Sequence, residues 1–324
     1  MKPKISIIIK ALNEESNIVR AIESCLAVTK KLSAEIILSD SLSTDKTVAL
    51  AKKYPIRIVQ LTNPYDRCCG VGPQLGYQHS LGEYIYILDG DMEFEEGFLE
   101  TALLEFKKDK HLAGVAGQIK EMRAVNMVFK RRKTQKEAEP TFPVRLEMGG
   151  LYSRKAIESV GWFSNANLHA YEEAELGFRL TQKGWSFKRL PIPGIKHYGY
   201  DTTSFGSFKR RFQTGYVKGS GELLRTALGQ SYFLKVAMHV KVYIVLIKWW
   251  LAMFVVLFVQ VPIITNIFFI STGVVLVLFL LKKRSLKEWA FSLVSWHVSA
   301  VGMVWGLFSK MKSPSQKIPS KVIQ

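Results

Sequence analysis

The sequence is poor in cysteine. Its 324 residues include three cysteines, Cys25, Cys68 and Cys69, and an odd, small number argues against a disulfide framework. No group of cysteines and histidines has the spacing of a zinc site. We therefore expect reduced thiols on the cytosolic side of the cell.

Acidic residues are also few: 27 Asp and Glu stand against 45 Lys and Arg, a formal net charge of +18. Such an excess often indicates a nucleic-acid partner. Here much of it lies before, between or after apolar segments, at Lys209, Arg210, Arg211, Lys218, Arg225, Lys235, Lys241, Lys282, Lys283, Arg284, Lys287, Lys310, Lys312 and Lys317. Basic residues beside spanning segments are typical of membrane proteins and attract anionic lipids. The distribution favours membrane lipids, and no nucleic acid, as partners.

The common phosphate-binding motifs are absent as well. No G-x-G-x-x-G follows the first predicted strand, and the Walker pattern is missing. The amino-terminal apolar run, Ile5 to Ile9, is too short for a signal peptide, and polar residues follow at once. We expect the amino-terminal part to stay in the cytosol and to bind its ligand without a glycine-rich phosphate cradle.

The first ninety residues alternate between strand and helix patterns. Short β-branched runs at 5–10, 35–39, 56–61 and 84–88 predict strands. Helices are expected after Asn13 as an N-cap, from Thr44 or Asp45, and over 72–80. The alternation predicts an α/β fold with a mainly parallel sheet flanked by helices.

Composition divides the chain into four parts. Residues 1–205 predict a cytosolic domain, 206–235 a basic amphipathic segment at the membrane interface, 236–310 two to three transmembrane helices, and 311–324 a basic tail. Three crossings would place the basic carboxyl terminus outside, against the positive-inside rule, whereas two crossings with an interfacial or re-entrant third segment would not. Both remain open. A multi-pass protein of the inner (cytoplasmic) membrane is expected.

Polar clusters follow three predicted strands, at Lys10–Glu14, Asp40–Thr47 and Asp89–Asp91. Each cluster alone is compatible with a simple turn or cap. Because the carboxyl ends of parallel strands meet at one edge of a sheet, we expect the three to lie together. Two carboxylates one residue apart suit a hard divalent cation that also binds phosphate oxygens.

On these residues the chain resembles the family 2 nucleotide-sugar glycosyltransferases, inverting enzymes of GT-A fold. Gly149-Gly150, followed by Tyr152 and Arg154, and the run Tyr171 to Leu180, which contains Glu172-Glu173, extend the match over about residues 4 to 200. The resemblance implies a nucleotide-diphosphate sugar donor, Mg²⁺ or Mn²⁺, and a glycan or lipid-linked acceptor, in cell-surface polysaccharide or glycolipid biosynthesis.

The resemblance also implies roles for single residues. Asp40 would contact the base, and Glu173 would be the catalytic base, with Glu172 as the competing candidate. The metal ligands would be Asp91, Asp89 and His197. The donor would contact Lys10, Asn13, Glu14, Asp40, Ser43, Arg67, Gln74, Asp89, Gly90 and Gly150.

The sequence departs from the family pattern at two places. Lys10-Ala11-Leu12 stands where Pro-Thr-Tyr is usual, and Glu172-Glu173 stands where Glu-Asp is usual. Two other functions remain open. A polyprenyl-phosphate glycosyltransferase would use an acceptor that is already an anion and needs no base, and a non-catalytic membrane scaffold would keep only the shape.

Overall fold

The computed structural model describes residues 2–123, 139–147, 149–199 and 206–324, and it divides into two units. One unit contains the described residues up to 199 together with 310–324. The other contains 206–309. The predicted boundary at 205 falls outside the described residues. The predicted basic tail, by contrast, belongs to the first unit.

The first unit is built on a nine-stranded sheet of order β5-β8-β6-β7-β4-β1-β2-β3-β9. Neighbours from β4 through β3 are parallel, whereas β7, β5 and β9 pair antiparallel with their partners. The α/β prediction is confirmed, with a mixed sheet. The strands are β1 (Ile5–Ala11), β2 (Ala34–Asp40), β3 (Arg57–Leu61), β4 (Tyr84–Asp89), β5 (Met92–Phe94), β6 (Leu112–Glu121), β7 (Gly150–Ser153), β8 (Ser186–His197) and β9 (Ser320–Val322).

Helices cover both faces of this sheet. Side chains alternate along a strand, so Ile7 of β1 packs with α1, α2 and α4, whereas Ile8 packs with α5 and α6. Both are fully buried. The helices are α1 (Ile18–Thr29), α2 (Thr47–Ala51), α3 (Val71–Gln78), α4 (Phe98–Lys108), α5 (Arg154–Glu158) and α6 (Glu172–Gln182).

Two helix starts differ from the prediction. Asn13 does not cap a helix, because it has a left-handed backbone (φ 59°) and α1 begins only at Ile18. Helix α2 begins at Thr47, whose backbone N–H donates to Asp45 Oδ1 at 2.9 Å. Both loops are therefore longer than predicted, and their polar side chains hydrogen-bond across from one loop to the other.

The second unit is helical. Its last three helices are long and apolar enough to cross a membrane. None of the apolar stretch of α10 or α11 is buried within the protein, against 33% of that of α12. The helices are α7 (Gly206–Gln213), α8 (Gly219–Thr226), α9 (Phe233–His239), α10 (Lys241–Val259), α11 (Pro262–Lys283) and α12 (Leu286–Leu307).

Helix α12 packs closely against α8 and the 3₁₀ turn Tyr216–Lys218. Glycines permit this approach, since a Cβ at Gly306 would lie 2.1 Å from Lys218 O and one at Gly302 would lie 2.2 Å from Val217 O. Helix α12 thus has a protein partner for one face, whereas α10 and α11 leave most of their apolar side chains uncovered.

Candidate active site

The predicted polar clusters lie at one edge of the sheet. In the strand register, Lys10 of β1 is opposite Asp89 of β4, and Ala11 is opposite Asp40 of β2. The backbone N–H of Gly90 donates to Lys10 O at 3.0 Å. The carboxyl ends of three adjacent parallel strands therefore place these residues side by side, where α/β proteins bind their ligands.

Lys10 lies between acidic side chains. Its Nζ is 2.9 Å from Asp89 Oδ1 and 3.9 Å from Glu172 Oε1, and its side chain is 23% exposed. Burial alone would lower the pKa of Lys10, but the charges of Asp89, Glu172 and Glu173 raise it well above its usual value. The lysine is thus a fixed cation in the site.

Glu172 and Glu173 form the first turn of α6. The residue before them, Tyr171, has a left-handed backbone (φ 68°), which sets the direction in which the helix starts. Burial of the Glu173 carboxylate, together with the charge of Glu172, raises the pKa of Glu173 to about 8, although Lys10 acts in the opposite direction. Glu173 keeps part of its surface exposed. It combines partial access with a pKa suited to proton transfer near neutral pH.

Asp91, two residues after Asp89, meets His197 at the end of β8. His197 Nε2 is 3.4 Å from Asp91 Oδ2, and His197 Nδ1 is 2.7 Å from Glu121 Oε2. Burial would lower the pKa of His197, but the two carboxylates raise it to about 9. Glu121 fixes the orientation of the ring, so that Nε2 points toward Asp91.

We tested whether these side chains suit a divalent cation. Among the described residues, no group of three or more His, Cys, Asp or Glu side chains is arranged to hold a metal ion alone. Asp91 supplies a carboxylate oxygen and His197 an imidazole nitrogen, and Glu121 orients the imidazole in the way that outer-shell carboxylates orient metal-binding histidines. The pair suits Mg²⁺ or Mn²⁺ if phosphate oxygens and water complete the coordination.

The loop after β2 is held by its own side chains. Asp40 is fully buried, and its Oδ2 accepts from Gln60 Nε2 at 2.8 Å and from the Ser43 backbone N–H at 3.1 Å. Ser43 Oγ accepts from the Asn13 backbone N–H at 2.9 Å, which joins the first two loops. Asp40 therefore helps to fix this loop, and its contact with the base stays a prediction.

Arg67 contacts the loop after β2, and Glu14 contacts the turn after β4. The Arg67 guanidinium donates to Ser41 O at 2.8 Å and to Leu42 O. A Cβ at Gly90 would lie 2.7 Å from Glu14 Cγ, so the turn after β4 approaches the first loop closely. Of the predicted donor residues, Arg67, Glu14 and Gly90 therefore lie at the same edge as Asp40 and Lys10.

Two predicted donor residues have packing roles instead. Gln74 is buried, and its Oε1 accepts from the backbone N–H groups of Phe163 and Ser164 at 3.0 and 2.9 Å. Gly150 is a buried residue of β7, where a Cβ would lie 2.7 Å from Leu146 Cδ1. Their positions give no support to donor contact.

Sequence reasoning missed Gln60 and Glu121. Gln60 contacts Asp40 across 20 residues of chain, and Glu121 contacts His197 across 76. Each lies in or at the end of a strand, and neither belongs to a recognisable motif. A polar residue inside an apolar strand pattern is the available signal, and it carries no information about the partner.

The sheet edge thus brings together a largely buried lysine, an acidic helix start and an Asp–His pair. Residues 6–161 match the model of Glycosyl transferase family 2. This match agrees with the family that the sequence resembles. "Putative glycosyltransferase EpsE" of Bacillus subtilis (strain 168) is 32% identical over 113 residues, which are 34% of this chain and 40% of that protein.

One solved structure supports the fold, and a second is similar to the chain. The structure of S. aureus TarS 1-349 in complex with UDP-GlcNAc is 15% identical, with a TM-score of 0.50, and the match covers 71% of this chain and 74% of that chain. Another structure of TarS 1-349 is 17% identical, with a TM-score of 0.48, and covers 71% and 73%. At these identities the likeness concerns the fold alone.

Proposed function

We propose that the chain is an inverting glycosyltransferase that moves a sugar from a nucleoside-diphosphate sugar to an acceptor hydroxyl at a membrane. The observation that carries the proposal is the convergence of Lys10, Asp89, Glu172 and Glu173 at one sheet edge. A scaffold would have no need for a carboxylate whose pKa is raised in this way.

Glu173 acts as the base. Its carboxylate takes the proton of the acceptor hydroxyl while that oxygen attacks the anomeric carbon, because a neutral hydroxyl is a poor nucleophile. The bond between the anomeric carbon and the phosphate oxygen breaks, and the nucleoside diphosphate leaves. A single displacement inverts the anomeric centre. Glu172, whose Oε1 is 3.9 Å from Lys10 Nζ, helps to hold the charged ammonium group of Lys10 in place.

The leaving group gains negative charge, and this chain offers two means of balancing it. Lys10 supplies a fixed positive charge beside Asp89. Asp91 and His197 would hold a Mg²⁺ or Mn²⁺ ion, which would neutralise charge on the diphosphate. Arg67 and Asp40 shape the loop on the nucleotide side. A donor with uridine, guanosine or thymidine diphosphate and a hexose-type sugar fits the proposal.

The second unit anchors the enzyme at the inner membrane. Residues 310–324 fold into the sheet of the first unit. Because the chain leaves and re-enters the same domain, the segment between must cross the membrane an even number of times. Helices α10 and α11, which have no buried apolar stretch, form a hairpin with two crossings. Helix α12, which packs against α8, lies at the interface on the cytosolic side.

The acceptor is a glycan or a lipid-linked sugar. The alternative acceptor is a polyprenyl phosphate, and the basic face of α7 with Arg210 and Arg211 is the observation that favours it. These two acceptors differ in chemistry, since a phosphate oxygen is already deprotonated whereas a hydroxyl needs Glu173.

A donor screen tests the proposal. Detergent-purified protein with Mn²⁺ is given a panel of UDP-, GDP- and dTDP-sugars, and release of the nucleoside diphosphate is measured with and without hydroxyl or polyprenyl-phosphate acceptors. We expect release from one donor class, stimulated by an acceptor, and NMR of the product should show an inverted anomer. No release and no binding by any nucleotide would contradict the transferase, and retention at the anomer would contradict the single displacement.

A further inference from the structure

The last fifteen residues return from the helical unit to the sheet. Strand β9 pairs antiparallel with β3, so that Val322 lies opposite Val59 and Ser320 opposite Leu61. Ile318, just before β9, is buried with Val59 and Leu61. The segment therefore covers the sheet edge at β3 and contributes to the hydrophobic core beneath it.

The same segment holds the loop that follows β3. Pro319 O accepts from the Thr62 backbone N–H at 3.3 Å and from Thr62 Oγ1 at 3.1 Å. Lys312 Nζ is 2.6 Å from Asp66 Oδ1, and the Lys312 backbone N–H donates to Asn167 Oδ1 at 2.7 Å. The loop over 62–67 is thus attached to the tail at both of its ends.

That loop carries Arg67. The Arg67 guanidinium donates to the carbonyls of Ser41 and Leu42, in the loop whose conformation is also set by the buried Asp40. Contacts therefore run from Lys312 through Asp66 and its neighbour Arg67 to the loop after β2. This is the loop to which the proposed function assigns the nucleotide.

We propose that residues 310–324 are a positioning element for the nucleotide pocket, and that the Lys312–Asp66 ion pair is its link to the neighbouring Arg67. The inference rests on the proposed function. A tail that keeps the 62–67 loop in place keeps Arg67 against the loop after β2 before the donor binds. Loss of the link should therefore weaken donor binding and raise KM for the donor, while kcat for bound donor changes little.

A different result is expected if residues 310–324 have only a structural role. If the tail only covers the edge of β3, loss of one ion pair would leave nucleotide affinity unchanged. Lys312 is largely exposed, with 59% of its side chain accessible, and an exposed pair contributes little to folding. Thermal stability should therefore hardly change, and a change in affinity would report positioning.

The experiment uses the full chain in detergent, with Mn²⁺ and UDP, GDP and dTDP as probes. We expect Lys312→Ala to raise the Kd of the nucleotide that binds wild type by about five-fold, the upper end of the range for exposed ion pairs, with an unchanged melting temperature. Lys312→Arg should retain wild-type affinity. Lys317→Ala is the matched control, because Lys317 is an exposed lysine of the same tail.

Each result decides the inference. The double variant Asp66→Lys with Lys312→Asp should recover affinity relative to Lys312→Ala, which supports the ion pair. Equal affinity for Lys312→Ala and wild type would overturn the inference, and so would equal weakening by Lys317→Ala, since that indicates a general charge effect. If wild type binds none of the three nucleotides, the proposed function itself fails, which is a separate result.

Discussion

Lys10 and Glu173 show how single side chains determine the chemistry at this sheet edge. Lys10 holds Asp89 at 2.9 Å and lies 3.9 Å from Glu172. The pKa of Glu173 reflects a balance, because burial and Glu172 raise it and Lys10 lowers it. The protonation state of Glu173 should therefore depend on whether Lys10 is present.

The first prediction concerns pH dependence. A base must be unprotonated, so kcat/KM should rise as pH rises toward about 8, the pKa of Glu173. Lys10→Met removes the cation that lowers this pKa. The rising limb of the plot of kcat/KM against pH should therefore move to higher pH. Lys31→Met, which breaks an exposed pair with Glu96, is the control and should not move it. A limb that stays in place in Lys10→Met would contradict the assignment.

The second prediction concerns stability. The pKa of Glu173 is higher in the folded state than its ordinary value of 4.5, so the folded protein binds more protons and loses stability as pH rises between 4.5 and about 8. Glu173→Gln removes this loss. Its melting temperature should exceed that of wild type by more at pH 8.5 than at pH 5. Exposed Glu158→Gln is the control, and an equal difference at both pH values would count against burial of the charge.

Sequence could predict residues that follow strands, and it could not predict their distant partners. Lys10, Asp89 and Asp91 were recognisable because they end buried strands at one sheet edge. His197 was expected as a metal ligand, but the bond from its Nδ1 to Glu121 depends on how β6 and β8 pair. Asn13 was misread as a cap, because its positive φ arises from contacts with the second loop.

At the scale of elements, the contact of α12 with α8 depends on glycine. The close approach of Gly306 to Lys218 leaves no room for a side chain. By contrast, Gly273 on α11 has nothing within 4 Å of its Cβ position. The two glycines therefore allow a matched comparison between a packed helix and an uncovered one.

The third prediction uses this pair. Gly306→Val should separate α12 from the 3₁₀ turn before α8, at a cost of about 1–3 kcal/mol or more, the usual range for overpacking. Gly273→Val should be close to neutral. Thermal unfolding of both variants in detergent measures the difference. Equal melting temperatures for the two would show that the α8–α12 contact does not contribute to stability.

Long periodic elements were predictable, and the short strand β9 was not. Strands β1 to β4 and helices α10 to α12 follow from hydrophobic pattern and length. Strand β9 has three residues in a basic tail, and it forms a strand because the edge of β3 offers free backbone groups. No local pattern in residues 311–324 contains that information, so the tail was predicted as a separate segment.

At the scale of the whole molecule, the return of residues 310–324 to the sheet leads to the fourth prediction, which concerns membrane topology. If α10 and α11 form a transmembrane hairpin, the connection between them at Gln260 lies on the non-cytosolic side of the membrane. The tail then lies in the cytosol. In intact cells, an impermeant maleimide should label Gln260→Cys but should label Ser315→Cys only after permeabilisation. Wild type, with its three native cysteines, is the control. Labelling of Ser315→Cys in intact cells would contradict two crossings.

The central claim is that Glu173 removes the acceptor proton at a donor site built by the ends of β1, β2 and β4. Parallel measurement of turnover and nucleotide affinity for Glu173→Gln tests it most directly. We predict a fall in turnover of about 100- to 10,000-fold, the contribution of a general base, with a nucleotide Kd equal to that of wild type. A variant that retains most of its turnover would contradict the account.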